Sequence, residues 1–221
     1  MRMTFPNILT LLRLLAAPVV ALLFLYFSHP WSDWFALIIF VVAALTDWLD
    51  GHLARTWKQE TKFGTMLDPI ADKAMVVIAL LVIIGFSSQS ASLILPATII
   101  LFREVFVSGL REFLGDTAGT LKVTKLAKWK TTVQMVAIAV LFAQGVFENY
   151  VGVLVFGMDR AMVSDILFGR EEDVLGLVWK YNGMIWSGRV GFWLLWLAAA
   201  LTLITGADYF RKSIPFLKDD P

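Results

Sequence analysis

The sequence predicts an all-α polytopic membrane protein with six transmembrane helices. Of its 221 residues, 58% are hydrophobic and only 17% are charged, and the mean hydropathy is +0.73. Soluble globular domains are closer to about 45–50% apolar and about 25% charged. The apolar runs are each near the ~20 residues that a helix needs to cross a bilayer. We therefore expect residues 1–221 to form a single integral membrane domain, with membrane lipids and no nucleic acid as partners.

Short polar connections separate the six predicted spans. Pro6 suits the start of the first helix, and Trp31 and Trp34 mark a membrane interface before the second. Pro69 suits the first turn of the third helix, which we expect to begin near Asp68. The spans are predicted at about 5–27, 34–57, 68–86, 93–114, 131–147 and 183–209.

Residues 149–182 break this pattern, because many charged side chains make the segment too polar to span a bilayer. We expect an extracytoplasmic insertion between the fifth and sixth spans, to which the sequence assigns no role. Fifteen of the 19 Lys and Arg residues fall on the other side, together with both termini. By the positive-inside rule, that side faces the cytoplasm. We expect the protein to lie in the inner membrane of the cell.

Four aspartates lie between apolar runs in the stretch Thr46–Lys73: Asp47, Asp50, Asp68 and Asp72. The first two are three residues apart and the last two are four apart, so each pair shares a helix face. Two helices joined as a hairpin at Arg55–Lys62 would bring all four carboxylates to one place.

Clustered carboxylates in a low-dielectric site need protons or a cation to offset their repulsion. Oxygen ligands favour hard divalent cations, whereas the absence of Cys makes zinc a poor candidate. Four carboxylates suffice for two ions, which suit displacement at phosphorus. Three small residues leave room for a bulky ligand near the backbone: Gly51, Ala54 and Gly64. Arg55 suits the binding of a phosphate. The alternative is helix caps plus surface salt bridges.

The pattern Asp-x2-Asp-Gly-x2-Ala-Arg-x8-Gly-x3-Asp-x3-Asp is satisfied at every position from Asp47 to Asp72. It resembles the motif of the CDP-alcohol phosphotransferases. The resemblance implies their fold and a reaction in which an alcohol displaces CMP from a CDP-linked lipid, with Mg²⁺ or Mn²⁺. It further implies that Asp72 is the general base, and that two ions are held by Asp47, Asp50, Asp68 and Asp72.

A polar stripe precedes the first apolar run, at Asn7, Thr10 and Arg13. The bland interpretation is a helix cap and an Arg that snorkels to the interface. In the family that this chain resembles, a similar Asn-x2-Thr-x2-Arg start borders the nucleotide. The resemblance therefore implies that the CDP-lipid is bound by Asn7, Thr10, Gly51, Ala54, Arg55 and Gly64.

Charged residues in the second half of the fourth span are costly at that depth and indicate a functional site. Arg103 and Arg111 are eight residues apart and lie on nearly the same helix face. We expect the phosphate of an acceptor alcohol to bind some of Arg103, Arg111, Lys125 and Lys130. The alternative is a basic stripe for anionic lipid heads, which we favour for Lys122 and Lys128.

Three further segments extend the resemblance to family members that use CDP-diacylglycerol and glycerol 3-phosphate. They are TLLRLLAAP, FREVFVSGLRE and KLAKWKTTVQM. The cationic fourth span fits such a phosphorylated acceptor. Inositol phosphate or phosphatidylglycerol as acceptor stays open. An ion-coupled transporter is a further alternative, although the acidic residues gather at one membrane face and no inverted repeat is evident. A structural scaffold does not explain the motif. A homodimer is implied by the resemblance alone.

Overall fold

The computed structural model describes residues 4–57, 61–87, 90–115 and 125–217, with the side chains of residues 48–57, 90, 125, 127 and 128 outside that description. Within these ranges the chain is helical and has no strand, which confirms the all-α prediction there. The helices are α1 Phe5–Tyr26, α2 Trp31–Trp57, α3 Lys62–Phe86, α4 Ser90–Leu114, α5 Lys125–Val155, α6 Arg160–Leu167 and α7 Leu177–Ser213.

Five of these helices are long and apolar enough to cross a membrane, namely α1, α3, α4, α5 and α7. Their outward faces carry exposed large apolar side chains such as Leu12, Leu22 and Leu81, as expected of a surface that meets lipid. The protein is therefore a membrane protein. The second predicted span, at about 34–57, lies on α2, whose side chains are described only up to Asp47, so that span stays a prediction.

The third helix begins earlier than predicted, at Lys62 instead of near Asp68. Thr61 caps it, because the Thr61 hydroxyl accepts a hydrogen bond from the backbone N–H of Gly64 at 3.0 Å. Pro69 consequently lies inside α3, where the packing of neighbouring helices makes such a residue tolerable in membrane proteins. Asp68 and Asp72 thus project from the body of α3 and not from its first residues.

The helices around residues 149–182 are longer than predicted: α5 continues to Val155 and α7 begins at Leu177. The carboxylate of Asp173 accepts the backbone N–H groups of Leu177 and Val178, at 2.6 and 2.9 Å, and so caps α7. Gly176 provides the turn with a φ of 68°, a conformation that favours glycine. The short helix α6 packs against both neighbours through a small apolar cluster of Val151, Ile166 and Leu177.

Helix packing gathers the ends that carry the motif. α1 packs mainly on α3 and α2, while α5 packs mainly on α7 and also contacts α2. The shared core contains side chains that expose at most 1% of their surface, among them Phe40, Leu80, Ile100, Ile138 and Leu195. The start of α1, the end of α2 and the start of α3 therefore meet at one end of the bundle.

Candidate active site

The polar stripe of α1 is buried against its neighbours. Asn7, Thr10 and Arg13 expose only 2%, 1% and 3% of their surface. A snorkelling Arg would reach the interface with its charged tip exposed, so that interpretation is wrong for Arg13. The side chains of this stripe instead point to the residues of the aspartate motif.

Arg13 connects three helices at the motif. Its Nη1 atom donates hydrogen bonds to Oδ1 of Asp47 on α2 and to Oδ1 of Asp72 on α3. The guanidinium is almost fully buried, while the two carboxylates are partly exposed, at 36% and 41%. A single cation therefore holds two of the predicted metal ligands together and offsets their mutual repulsion.

Thr10 and Asn7 complete the contact between α1 and α3. The Thr10 hydroxyl donates to Oδ1 of Asp68 at 2.6 Å. The Thr61 hydroxyl donates to Oδ1 of Asn7 at 3.0 Å. Asp68 is thus oriented by a neutral donor, whereas Asp72 is oriented by a charged one.

Gly64 lies at a close approach of α1 and α3 beside this stripe. A Cβ atom added to Gly64 would lie 2.7 Å from Oδ1 of Asn7 and 3.3 Å from Oγ1 of Thr61. Such a Cβ would overlap the Asn7 amide, so the absence of a side chain is what allows the contact. This packing reason stands beside the predicted role of Gly64 in CDP-lipid binding, which stays a prediction.

Several predicted site residues have side chains outside the described part of the structure. Four of them lie in the last turns of α2, and the fifth is the first residue of α5. These are Asp50, Gly51, Ala54, Arg55 and Lys125. Their predicted roles are neither supported nor contradicted by the geometry.

A cavity of about 360 Å³ joins the aspartates to the predicted acceptor residues. Asp68 and Asp72 line it from α3. Three of the four cations predicted for the acceptor phosphate also line it, from α4 and α5: Arg103, Arg111 and Lys130. The fourth, Lys125, is among the residues whose side chains are not described.

Glu104 organises the cationic wall of this cavity, and sequence reasoning did not select it as a site residue. Its Oε1 atom contacts Lys130 Nζ and lies 3.3 Å from Nη1 of Arg103. The Glu104 side chain is only 15% exposed, so one carboxylate partly balances two cations in a mostly buried place. The available signals were its position next to Arg103 in an apolar run and its spacing of eight residues from Glu112.

The sequence analysis also missed Tyr209 on α7 and Gln134 on α5. The Cζ atom of Arg111 lies 5.3 Å from the centroid of the Tyr209 ring, a cation–π arrangement that fixes the guanidinium. Gln134 on α5 lines the cavity and is 3% exposed. An uncharged residue one turn beyond Lys130 gave no sequence signal.

A second cavity, of about 530 Å³, lies at the opposite end of the bundle. His29 and Asp33 line it, with His29 Nδ1 2.6 Å from Oδ2 of Asp33. It is larger than the first cavity but contains none of the motif aspartates and no Lys or Arg among its lining residues. Size alone therefore does not identify the active site here.

The donor chemistry of the aspartate cluster fits a divalent cation. Asp47, Asp68 and Asp72 present only oxygen donors, the ligands preferred by Mg²⁺ and Mn²⁺. Among the residues that the structure describes, no group of three or more His, Cys, Asp or Glu side chains is close enough to hold a metal. The side chain of Asp50, the fourth predicted ligand, lies outside the described part of the structure.

The chain belongs to the CDP-alcohol phosphatidyltransferase family, whose model matches residues 3–204. This membership confirms the resemblance drawn from the eight-position motif. It also removes the transporter and scaffold alternatives as the best account of the chain. Members of the family generally use divalent metals.

Among curated proteins, the chain is 59% identical over 220 residues to a CDP-diacylglycerol–glycerol-3-phosphate 3-phosphatidyltransferase of Cereibacter sphaeroides, with 100% of both chains covered. It is 42% identical over 159 residues to the protein of that name from Shigella flexneri serotype 5b, covering 71% of this chain and 86% of the relative. The Escherichia coli K12 protein of that name is 41% identical over the same length and shares.

Proposed function

We propose that this protein transfers the phosphatidyl group of CDP-diacylglycerol to glycerol 3-phosphate, giving phosphatidylglycerophosphate and CMP. The observation that carries the proposal is the single cavity that has Asp68 and Asp72 on one wall and three cations on another. A phosphorylated acceptor needs both an anion site and a nearby base. The similarity to relatives whose names state this reaction supports the same acceptor over inositol phosphate or phosphatidylglycerol.

In the proposed reaction, Arg103, Arg111 and Lys130 hold the phosphate of glycerol 3-phosphate, with Lys125 as a fourth candidate. Asp72 takes the proton from an acceptor hydroxyl. The hydroxyl oxygen forms a bond to the phosphatidyl phosphorus, while the bond from that phosphorus to the CMP oxygen breaks. CMP leaves with the electron pair of that bond.

We infer that Asp47, Asp50, Asp68 and Asp72 hold Mg²⁺ or Mn²⁺, with two ions in all. When bound there, such ions would polarise the attacked phosphorus and neutralise charge on the leaving CMP. Asn7, Thr10, Gly51, Ala54, Arg55 and Gly64 are proposed to line the nucleotide and diphosphate. The partly buried hydrogen bond from Thr10 to Asp68 supports a position of α1 beside that site.

The test is CMP release by purified protein in detergent with CDP-diacylglycerol and Mg²⁺ or Mn²⁺. Glycerol 3-phosphate, inositol phosphate, phosphatidylglycerol, serine and inositol are offered in separate reactions. Release only with glycerol 3-phosphate is expected. Release with another acceptor and not with glycerol 3-phosphate would overturn the proposed substrate, and failure to bind CDP-diacylglycerol would overturn the reaction class.

We further propose that the site faces the cytoplasm in a bacterial inner membrane and that the protein is a homodimer. The chain has no Cys, so single-cysteine variants report orientation cleanly. Arg211→Cys is expected to resist a membrane-impermeant maleimide in intact spheroplasts, and Arg170→Cys to react. The reverse labelling pattern would show that the site faces the other side of the membrane.

Light scattering of the detergent-purified protein tests the proposed homodimer, and a monomer mass would contradict it.

A further inference from the structure

Gln134 is a buried polar side chain with an unmet hydrogen bond in the substrate cavity. It lies on α5 one turn after Lys130, lines the cavity and is 3% exposed. Its Oε1 atom is fully buried and has no hydrogen-bond partner within the described residues. Buried carbonyl oxygens without a partner are rare and costly in folded proteins, so this one calls for a ligand that supplies a donor.

The chemistry of the cavity limits what that donor is. The cations of the cavity bind the acceptor phosphate in the proposed function, and an amide oxygen does not accept from a phosphate dianion. The acceptor also brings two hydroxyl groups. The less hindered primary hydroxyl attacks phosphorus and gives its proton to Asp72, which leaves the C2 hydroxyl to donate to another acceptor in the cavity.

We propose that Gln134 Oε1 accepts a hydrogen bond from the C2 hydroxyl of glycerol 3-phosphate and thereby makes Gln134 a specificity-determining residue. This inference rests on the proposed function and adds the group that recognises the non-reacting hydroxyl. Lys130 and Gln134 share one face of α5, because they are four residues apart. On that face, Lys130 would bind the phosphate and Gln134 would bind the hydroxyl on C2.

The test compares glycerol 3-phosphate with 3-hydroxypropyl phosphate, which keeps the attacking hydroxyl and the phosphate but lacks the C2 hydroxyl. Wild-type protein is expected to prefer glycerol 3-phosphate by about tenfold or more in kcat/KM, because the analogue leaves a buried acceptor unpaired. Gln134→Met removes the acceptor oxygen at similar size and is expected to reduce the preference to about twofold or less. Gln134→Leu is a second variant of the same kind.

The matched control is Gln144→Met. Gln144 lies on the same helix, is 2% exposed and does not line the cavity. Its Nε2 atom donates a hydrogen bond to Oε2 of Glu148, at 3.3 Å. It is expected to keep the wild-type preference. Equal use of the two acceptors by wild-type protein overturns the inference without any variant. So does a wild-type preference retained by Gln134→Met or Gln134→Leu. CMP release with neither acceptor overturns the proposed function itself, and this inference falls with it.

Discussion

The guanidinium of Arg13 contacts the carboxylate of Asp72, and the same Nη1 atom also contacts Asp47. Arg13 comes from α1, far in sequence from the motif that it serves. It is 3% exposed and therefore acts as an internal countercharge for the aspartates. The site is thus built from α1, α2 and α3 together, and not from the motif hairpin alone.

We expect Arg13→Met to lower the melting temperature in metal-free buffer. The change leaves Asp47 and Asp72 without their shared cation, and breaking a buried pair is strongly destabilising, although the partial exposure of both carboxylates reduces the cost to about 1–3 kcal/mol. Mg²⁺ or Mn²⁺ should restore more stability to this variant than to wild type. Thermal unfolding with and without metal measures both effects.

Arg189→Met is the control for that change, because Arg189 is an exposed residue of α7. It is expected to leave the metal-free melting temperature close to that of wild type. An Arg13→Met protein as stable as wild type in metal-free buffer would contradict the countercharge role.

Asp72→Asn is expected to abolish turnover while keeping the fold. General-base catalysis contributes about 10²–10⁴-fold, and the amide cannot take the acceptor proton. CMP release measures turnover, and gel filtration in detergent checks the fold. Asp208→Asn serves as control, since Asp208 pairs with Lys212 on α7 at 2.6 Å and takes no part in the proposed chemistry. Residual turnover above about a tenth of wild type would remove Asp72 as the base.

The fold class was predictable because apolar runs and turn residues are local signals. The helix ends were less predictable. Thr61 caps the start of α3 and Asp173 caps the start of α7, and these side-chain caps outweigh the Pro69 and charge signals used for prediction. The meeting of Asp47 and Asp72 at Arg13 agrees with the spacing and the motif, whereas the place of Asp50 stays a prediction. Glu104 and Gln134 were missed as site residues because their importance arises from the meeting of α4 and α5 with α3, which no local pattern encodes.

Gly64→Ala is expected to destabilise the protein by about 1–3 kcal/mol. The new Cβ would lie 2.7 Å from Asn7 Oδ1 and push α1 away from α3. The KM for CDP-diacylglycerol should rise as well, because Asn7 and Thr10 shift together. Thermal unfolding and CMP-release kinetics measure the two effects.

Gly85→Ala provides a control on the same helix, because a Cβ there meets nothing within 4 Å. It is expected to be neutral or to stabilise by up to about 1 kcal/mol through helix propensity. The double variant Asn7→Ala with Gly64→Ala should recover part of the lost stability. If Gly64→Ala and Gly85→Ala unfold at the same temperature, the close approach of α1 and α3 is not the reason for Gly64.

Arg111→Ala is expected to raise the KM for glycerol 3-phosphate at least about tenfold, since charge-assisted bonds to phosphate are worth about 1.5–3 kcal/mol. The KM for CDP-diacylglycerol should change much less. Arg211→Ala, an exposed change near the end of α7, is the matched control and should alter neither constant. A rise confined to the KM for CDP-diacylglycerol would place Arg111 outside the acceptor site.

The cap of α7 makes a pH-dependent contribution to stability. Hydrogen bonds from the backbone N–H groups of Val178 and Leu177 lower the pKa of Asp173 below its usual range. A lowered folded-state pKa means that the contribution is fully present above the unfolded value of about 3.9 and is lost as the pH falls through the folded value. The neutral Asp173→Asn protein lacks this charge-dependent part.

We therefore expect Asp173→Asn to melt at a lower temperature than wild type at pH 6, with the difference shrinking as the pH is lowered toward 3. Wild type then approaches the variant, because its own cap becomes neutral. Glu172→Gln, at the exposed neighbouring position, should show no such convergence. Melting curves of the three proteins in one detergent measure this. A difference between Asp173→Asn and wild type that stays constant with pH would show that the ionised Asp173 carboxylate contributes nothing beyond its shape.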